Sequence, residues 1–158
     1  MPENSAFFNE KMERLPQKDL RELQSKRLRE VLHYAYENSV YYKRALDSAG
    51  LKPDEIRDIS KLQKTKFFTT KDDLRENYPF GTLAVPRNRV VEMHATSGTT
   101  GTPTLGLHTA KDIEEWGEVS ARSLVMSGLG KEDVFQITPS LGMFSGGFGF
   151  YHGARKIG

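Results

Sequence analysis

The chain has 158 residues, a formal net charge of +2, and hydrophobic and charged fractions of 37% and 28%. This balance is typical of a soluble globular domain with a hydrophobic core, and it gives no reason to expect nucleic acid or a membrane as a partner. The absence of cysteine excludes disulfide bonds, a cysteine nucleophile and thiolate metal sites, and it is compatible with the cytoplasmic location that we expect.

The first half of the chain is rich in charged residues and is predicted to be helical. Apolar residues recur with helical spacing along residues 18–38, which predicts an amphipathic helix. A shorter helix is predicted over residues 41–49, and a third over residues 71–76, where Thr70 is the expected N-terminal cap. We therefore predict a helical N-terminal segment over residues 1–88.

The second half is richer in glycine and is predicted to alternate strands with helices. Strands are predicted over residues 89–95, 105–108 and 134–138. Along the first of these, Val91, Met93 and Ala95 lie on one face, and Val90, Glu92 and His94 lie on the other. Residues 89–158 are therefore expected to form part of an α/β subdomain, within one incomplete domain overall.

A helix is predicted over residues 110–126, with Thr109 and Asp112 as a reciprocal capping pair at its start. Its expected buried face consists of Ile113, Trp116, Val119, Ser120, Ser123 and Leu124. A glycine-rich stretch, residues 141–149, then leads into a further helix near the end of the chain.

The most informative motif is the uncharged, hydroxyl-rich loop at residues 96–104, which directly follows the first predicted strand. Glycine allows a backbone to approach phosphates closely, and hydroxyl and N–H groups donate hydrogen bonds to them. The loop lacks the lysine of a Walker A motif and the glycine spacing of a dinucleotide-binding fold. A flexible Ser/Thr/Gly connector remains the alternative interpretation.

The order of residues in this loop, Ser-Gly-Thr-Thr-Gly-x-Pro, resembles the phosphate-binding loop of the adenylate-forming enzymes, the superfamily of acyl-CoA synthetases and luciferases. Four other features resemble the phenylacetate–CoA ligase branch: Tyr41-Tyr42, residues 69–81, residues 143–147 and residues 151–154. Most adenylate-forming enzymes carry lysine where Thr104 stands, whereas this branch is similar to the chain in having threonine.

This resemblance implies an α/β fold in which a helical arm precedes part of the mixed-sheet N-terminal domain of an adenylate-forming enzyme. It implies a ligase that uses ATP, Mg²⁺ and coenzyme A to activate a small aryl or acyl carboxylate. The implied phosphate-binding residues are Thr96, Ser97, Gly98, Thr99, Thr100, Gly101, Thr102, Pro103 and Thr104. The implied acyl pocket contains Leu141, Met143, Phe144, Ser145, Gly146, Gly147 and Phe148, for which an ordinary buried turn is the alternative.

Two residues depart from the branch. Thr102 stands where members often have lysine, so backbone donors and hydroxyls would carry more of the phosphate binding. Leu141 stands where members often have tyrosine near the aryl pocket, so the resemblance implies an apolar carboxylic acid without singling out phenylacetate.

Members of the family are much longer than this chain, and their main catalytic residues are expected beyond Gly158. We therefore expect the chain alone to be inactive, and a truncated non-catalytic module for ligand binding or interaction is the alternative. No metal site is expected, because the histidines lack ligand spacing. A homo-oligomer is expected, because an incomplete sheet leaves an edge or an apolar face uncovered.

Overall fold

The computed structural model describes residues 7–96, 101–138, 141–142 and 145–158. The chain divides into two compact units, one formed by Leu15–Arg87 and the other by Met1–Arg14 with Asn88–Gly158. The domain boundary that was expected between residues 88 and 89 stays a prediction.

The elements of the described residues follow in chain order. The helices are α1 (Glu10–Glu13), α2 (Gln17–Asn38), α3 (Val40–Ser48), α4 (Ile59–Thr65), α5 (Lys71–Glu76), α6 (Ala110–Met126) and α7 (Gly146–Ile157). Short 3-10 turns occupy Pro53–Glu55 and Arg87–Arg89. The strands are β1 (Val90–Ala95) and β2 (Leu105–Thr109). No helix of the described residues is both long and apolar enough to cross a membrane.

In the Leu15–Arg87 unit, the three predicted helices are confirmed as α2, α3 and α5. Ser39 separates α2 from α3, and its hydroxyl accepts a hydrogen bond from the backbone N–H of Tyr42 at the start of α3. Leu46 and Ile56 are fully buried and anchor this unit. Helix α4 was not predicted, although its N-terminal cap, Asp58, accepts a hydrogen bond from the Lys61 N–H at 2.8 Å.

In the other unit, β1 and β2 form an antiparallel pair in which Glu92 lies opposite His108 and His94 lies opposite Gly106. Both strands were predicted, and so was α6, which begins directly after β2. The predicted capping pair is present as well, because the Thr109 hydroxyl and the Asp112 carboxylate each accept a hydrogen bond from the other residue's backbone N–H.

Helices α6 and α7 pack closely because glycine occupies both sides of their crossing. A Cβ atom on Gly153 would lie 2.7 Å from the Cβ of Ser120, and one on Gly117 would lie 3.3 Å from the carbonyl oxygen of His152. A small apolar core forms beside the crossing, made of Ala121, Leu124 and Ile157. The backbones therefore meet where side chains would otherwise hold the helices apart.

Two of the six residues that were expected on the buried face of α6 are exposed, so the prediction is wrong for them. Val119 is 60% exposed and Ser123 is also exposed, whereas Gly117 and Ala121 are buried. The physical reason is that α7 packs against the smallest residues of α6, so the contact face is centred on glycine and alanine. A pattern of apolar residues does not reveal such a face, because glycine contributes no hydrophobic signal.

The predicted strand over residues 134–138 does not form. These residues have no regular secondary structure, and Val134 is 99% exposed. A strand requires a neighbour for its backbone N–H and C=O groups, and the sheet of the described residues contains only β1 and β2. The rest of the predicted order is present, since a helical first part precedes β1, β2, α6 and α7.

Candidate functional site

The base of the hydroxyl-rich loop is closed by two threonines. The backbone N–H of Thr96 donates to the carbonyl of Thr104 at 3.0 Å, and the N–H of Thr104 donates to the hydroxyl of Thr96 at the same distance. Thr104 is buried, whereas Thr96, Gly101 and Thr102 are exposed. The other predicted phosphate-binding residues at positions 97–100 lie outside the described residues.

Gly101 has a φ of 131°, a backbone conformation that side chains other than glycine rarely adopt. Pro103 follows it closely and is half-buried beside Thr104. The two ends of the loop, Thr96 and Thr104, directly follow β1 and directly precede β2, and their hydrogen bonds hold them together. Whether its residues bind phosphate stays a prediction.

Replacing Thr96 with valine should weaken the loop base at nearly constant side-chain volume. The buried N–H of Thr104 would lose its acceptor, so we expect the free energy of unfolding to fall by about 1–2 kcal/mol. Urea unfolding of the 158-residue chain measures this. The same substitution at the exposed Thr138 is the control and should change stability by less than about 0.5 kcal/mol. Equal effects at the two sites would contradict a role for the Thr96 hydroxyl.

The predicted acyl-pocket segment is described in part. Leu141 is exposed, Ser145 immediately precedes α7, and Gly146 and Gly147 form its first turn. Met143 and Phe144 lie outside the described residues. Phe148 is half-buried, and its ring centroid lies 4.7 Å from that of His94 on β1. Of the predicted acyl-pocket residues, Phe148 thus has a described contact with the strand that precedes the loop.

A group of polar and aromatic side chains surrounds this contact, and it was not predicted from the sequence. We call it the histidine cluster, consisting of Glu92, His94, His108, Trp116, Phe148 and His152. At its centre, one oxygen of Glu92, Oε2, lies 3.1 Å from Nε2 of His94 and 3.1 Å from Nε2 of His152. The side chains of the two histidines are only 6% and 9% exposed.

Aromatic packing holds the rings of the cluster in place. The indole of Trp116 stacks on His108 with a centroid distance of 5.3 Å and lies edge-on to His94 at 5.5 Å. A Cβ atom on Gly149 would lie 3.0 Å from the indole nitrogen, so glycine at this position makes room for Trp116. Trp116, interpreted from sequence as a core residue, packs within this cluster.

The surroundings favour the ionised carboxylate of Glu92 and the neutral imidazole of His108. Burial by itself raises the pKa of Glu92, but hydrogen bonds from His152 and His94 outweigh it, and the net pKa is lowered. Burial, followed by the electrostatic effect of His94, lowers the pKa of His108. Lowering the pH therefore destabilises the folded chain through both groups, because each binds a proton more readily in the unfolded chain.

We expect the chain to lose stability progressively as the pH falls below neutral. Because folding lowers the pKa of both His108 and Glu92, their contribution is present above the unfolded values of 6.5 and 4.5 and is lost below them. Urea midpoints measured from pH 7.5 to pH 4 should therefore decrease. His108→Gln should flatten the part of the curve that begins near pH 6.5. Midpoints that rise on acidification would contradict the assignment.

The sequence contained partial signals of this cluster. The alternation of β1 already placed Glu92 and His94 on one face, and the four-residue spacing of Phe148 and His152 places them on one face of a helix. The pairing of β1 with β2 and the packing of α7 were not deducible from these spacings. In the part of the chain that the structure describes, no group of three or more His, Asp or Glu side chains could hold a metal ion.

Comparison with known proteins gives four similar curated sequences, all phenylacetate–coenzyme A ligases. The protein from Aromatoleum evansii is 46% identical over 149 residues, which cover 94% of this chain and 34% of that protein. The protein from Escherichia coli K12 is 46% identical over 140 residues, or 89% of this chain and 32% of that protein. The chain thus spans about a third of the length of the curated relatives it matches. No family model matches the chain.

The fold is also found among solved structures. 2-Hydroxyisobutyryl-CoA ligase, crystallised with 2-HIB-AMP and CoA in the thioesterification state, matches with a TM-score of 0.90 and 26% identity. The match covers 99% of this chain and 34% of that enzyme. By sequence, the chain is therefore similar to about a third of the phenylacetate–coenzyme A ligases, and by fold it is similar to about a third of 2-hydroxyisobutyryl-CoA ligase.

Proposed function

We propose that this chain is part of an AMP-forming aryl- or acyl-CoA ligase. The observation that carries the proposal is the 46% identity to a phenylacetate–coenzyme A ligase across 94% of the chain. The loop between β1 and β2 supports it, because its base is held by Thr96 and Thr104 while its remaining residues are those expected of a phosphate-binding loop. The chain by itself is proposed to be inactive.

The proposed reaction has two steps. A carboxylate oxygen attacks the α-phosphorus of ATP, forming an acyl adenylate and releasing pyrophosphate. The sulfur of coenzyme A then attacks the acyl carbon, the bond to AMP breaks, and the thiol proton is lost to solvent or base. Negative charge develops on phosphate oxygens in the first step, and preorganised N–H and O–H donors stabilise such charge.

Within this reaction, we assign phosphate binding to residues 96–104. The hydroxyls of Ser97, Thr99 and Thr100 are the proposed donors, together with the backbone N–H groups of Gly98 and Gly101. The loop would position the β- and γ-phosphates without forming covalent bonds. Among the residues that the structure describes, no group of three or more His, Asp or Glu side chains could hold a metal ion. Mg²⁺ and coenzyme A are proposed as a cofactor and a substrate of the whole ligase.

We assign the acyl group to the segment that precedes α7 and enters its first turn. Leu141 and Phe148 would supply apolar surface, and the glycines at 146 and 147 would leave space for the substrate. The named relatives support a small organic acid as substrate, since they are ligases for phenylacetate and 2-hydroxyisobutyrate. The cytoplasm remains the proposed location.

A chimera tests the proposal directly. This chain would replace the aligned third of the Escherichia coli relative, and the purified chimera would be assayed for phenylacetate-dependent exchange of labelled pyrophosphate into ATP. We expect exchange above the background measured without acid, and related apolar acids would be compared in the same assay. A folded chimera without exchange for any of these acids would contradict the proposal. The 158-residue chain alone should show no exchange.

The alternative function is a truncated non-catalytic module for ligand binding or interaction. It predicts that the 158-residue chain is folded, binds a carboxylate or a protein partner, and has no role in turnover. Exchange by the chimera would favour the ligase over this alternative. Absence of exchange, combined with a stably folded chain, would favour the module.

We propose that the 158-residue chain, when it is expressed by itself, associates with further copies of itself. Val91 and Met93 lie on the outer face of β1 and are 58% and 54% exposed. Exposed apolar residues beside an unpaired strand edge favour pairing with a second copy. We expect a dimer or larger oligomer by sedimentation at tens of micromolar, shifted towards monomer by the double substitution of Val91→Thr and Met93→Thr. A wild-type monomer at that concentration would contradict this prediction.

A further inference from the structure

One carboxylate connects the two proposed halves of the site. Glu92 lies on β1, four residues before Thr96 at the base of the hydroxyl-rich loop, and contacts His94 on the same strand. It also contacts His152 on α7, one helical turn after Phe148 of the proposed acyl segment. The contact between Glu92 and His152 thus joins residues that are 60 positions apart in sequence.

The chemistry of this contact restricts both imidazoles. An ionised carboxylate only accepts hydrogen bonds, and its pKa is lowered here, so each histidine must donate from Nε2. In a neutral imidazole, Nδ1 is then an acceptor without hydrogen. Nδ1 of His94 is buried and has no hydrogen-bond partner among the described residues, so the hydrogen bond of this ring is the one at Nε2.

The neighbouring side chains leave the rings little freedom to turn. His94 lies between Phe148 and Trp116, with ring-centroid distances of 4.7 and 5.5 Å. His152 lies 5.6 Å from the indole of Trp116 and 6.2 Å from Phe148. The same two aromatic side chains therefore border both histidines, and Glu92 supplies the polar contact that the two histidines share.

We propose that Glu92 is a positioning residue that fixes His94 and His152 as Nε2–H tautomers and thereby fastens α7 to β1. This inference rests on the proposed ligase function, since its consequence is a fixed spacing between the phosphate loop and the acyl segment. Glu92 is not assigned contact with any substrate. Loss of its carboxylate frees α7 at His152 and loosens the strand end at Thr96 and Thr104.

The first test is the tautomeric state of the wild-type chain. Long-range ¹H–¹⁵N correlation spectra at pH 7.5 distinguish Nε2–H from Nδ1–H imidazoles without any substitution. We expect Nε2–H for both His94 and His152, and a changed signal for at least one of them in Glu92→Gln. An Nδ1–H tautomer of either histidine in the wild-type chain would overturn the proposal.

The second test is amide hydrogen exchange at Thr96 and Thr104, whose N–H groups close the loop base. Glu92→Gln should accelerate their exchange about tenfold, the effect of losing a hydrogen bond to a charged group. Glu118→Gln is the matched control. Its carboxylate is similarly exposed, 30% against 27%, and accepts hydrogen bonds from Arg122 and Asn9, neither of which lies on α7.

Variants of His152 keep the test decisive if Glu92→Gln fails to fold. His152→Gln places an amide N–H near the position of Nε2 and should hold exchange at Thr96 and Thr104 within about threefold of wild type. His152→Leu keeps the volume without a donor and should accelerate exchange about tenfold. Equal behaviour of the two His152 variants, or equal acceleration by Glu118→Gln and Glu92→Gln, would overturn the proposal.

These measurements need neither ATP nor an acid, so they separate this inference from the proposed ligase function. A chimera without exchange activity contradicts the ligase alone. Wrong tautomers in an otherwise active chimera contradict the positioning role of Glu92 alone.

Discussion

Alanine in place of Gly153 should lower the free energy of unfolding of the 158-residue chain by about 2–3 kcal/mol. The added Cβ would meet the Cβ of Ser120 at 2.7 Å, the carbonyl carbon of Ser120 at 2.9 Å and the backbone nitrogen of Ala121 at 3.0 Å. Two of these atoms belong to the α6 backbone and cannot move aside as a flexible side chain could. The steric cost therefore exceeds the roughly 1 kcal/mol that alanine gains over glycine in a helix.

Gly117→Ala is the matched control for this prediction, because it makes the same substitution on the partner helix of the same crossing. Its added Cβ would lie 3.3 Å from the carbonyl oxygen of His152, a contact that a small shift can relieve. We expect a change in stability within about 1 kcal/mol, since helix propensity and mild crowding oppose each other. Urea unfolding measures both variants, and a Gly153→Ala chain as stable as wild type would contradict the close crossing of α6 and α7.

Secondary-structure elements that are marked by residues close together in the sequence were predicted correctly. Helices α5 and α6 begin at threonines, Thr70 and Thr109, each followed three residues later by an aspartate that completes the cap. Such pairs satisfy the free N–H groups of the first helical turn, so they identify a helix start without knowledge of the remaining fold. The strands on either side of the loop followed equally from alternation and position.

Features that depend on distant parts of the chain were not predicted. Whether residues 134–138 form a strand depends on a backbone partner, and apolar composition alone does not supply one. The histidine cluster depends on the register of β1 with β2 and on where α7 crosses α6. From the sequence, His152 could only be described as a histidine without metal-ligand spacing. In the structure its hydrogen-bond partner is Glu92.

The candidate functional site likewise has features that could be predicted from neighbouring residues and features that could not. The loop motif and the resemblance to the ligase family were readable in the order of residues, and the resemblance is confirmed by the similarity to curated phenylacetate–coenzyme A ligases. The side of β1 that is buried was not readable, because its polar face, with Glu92 and His94, packs inward while Val91 and Met93 are exposed. A half-buried carboxylate and a buried imidazole are tolerated there because the imidazole N–H donates a hydrogen bond to the carboxylate.

The second large effect is expected in the chimera with the Escherichia coli relative. Replacing Thr100 with valine removes one proposed hydroxyl donor at constant volume, and pyrophosphate exchange at saturating ATP should fall by about two to three orders of magnitude. The loss should appear in the maximal rate more than in the Michaelis constant for ATP, because the donor is proposed to act on charge that develops in the transition state.

Thr100→Ser is the matched control, since it retains the hydroxyl and loses only the methyl group. Its exchange rate should stay within about tenfold of the parent chimera, because a hydroxyl donor can still reach developing charge. If valine and serine reduce the rate equally, packing of the methyl group matters and the hydroxyl is no donor. If neither reduces it, the loop of residues 96–104 is a connector in this chain, and phosphate binding must come from elsewhere in the ligase.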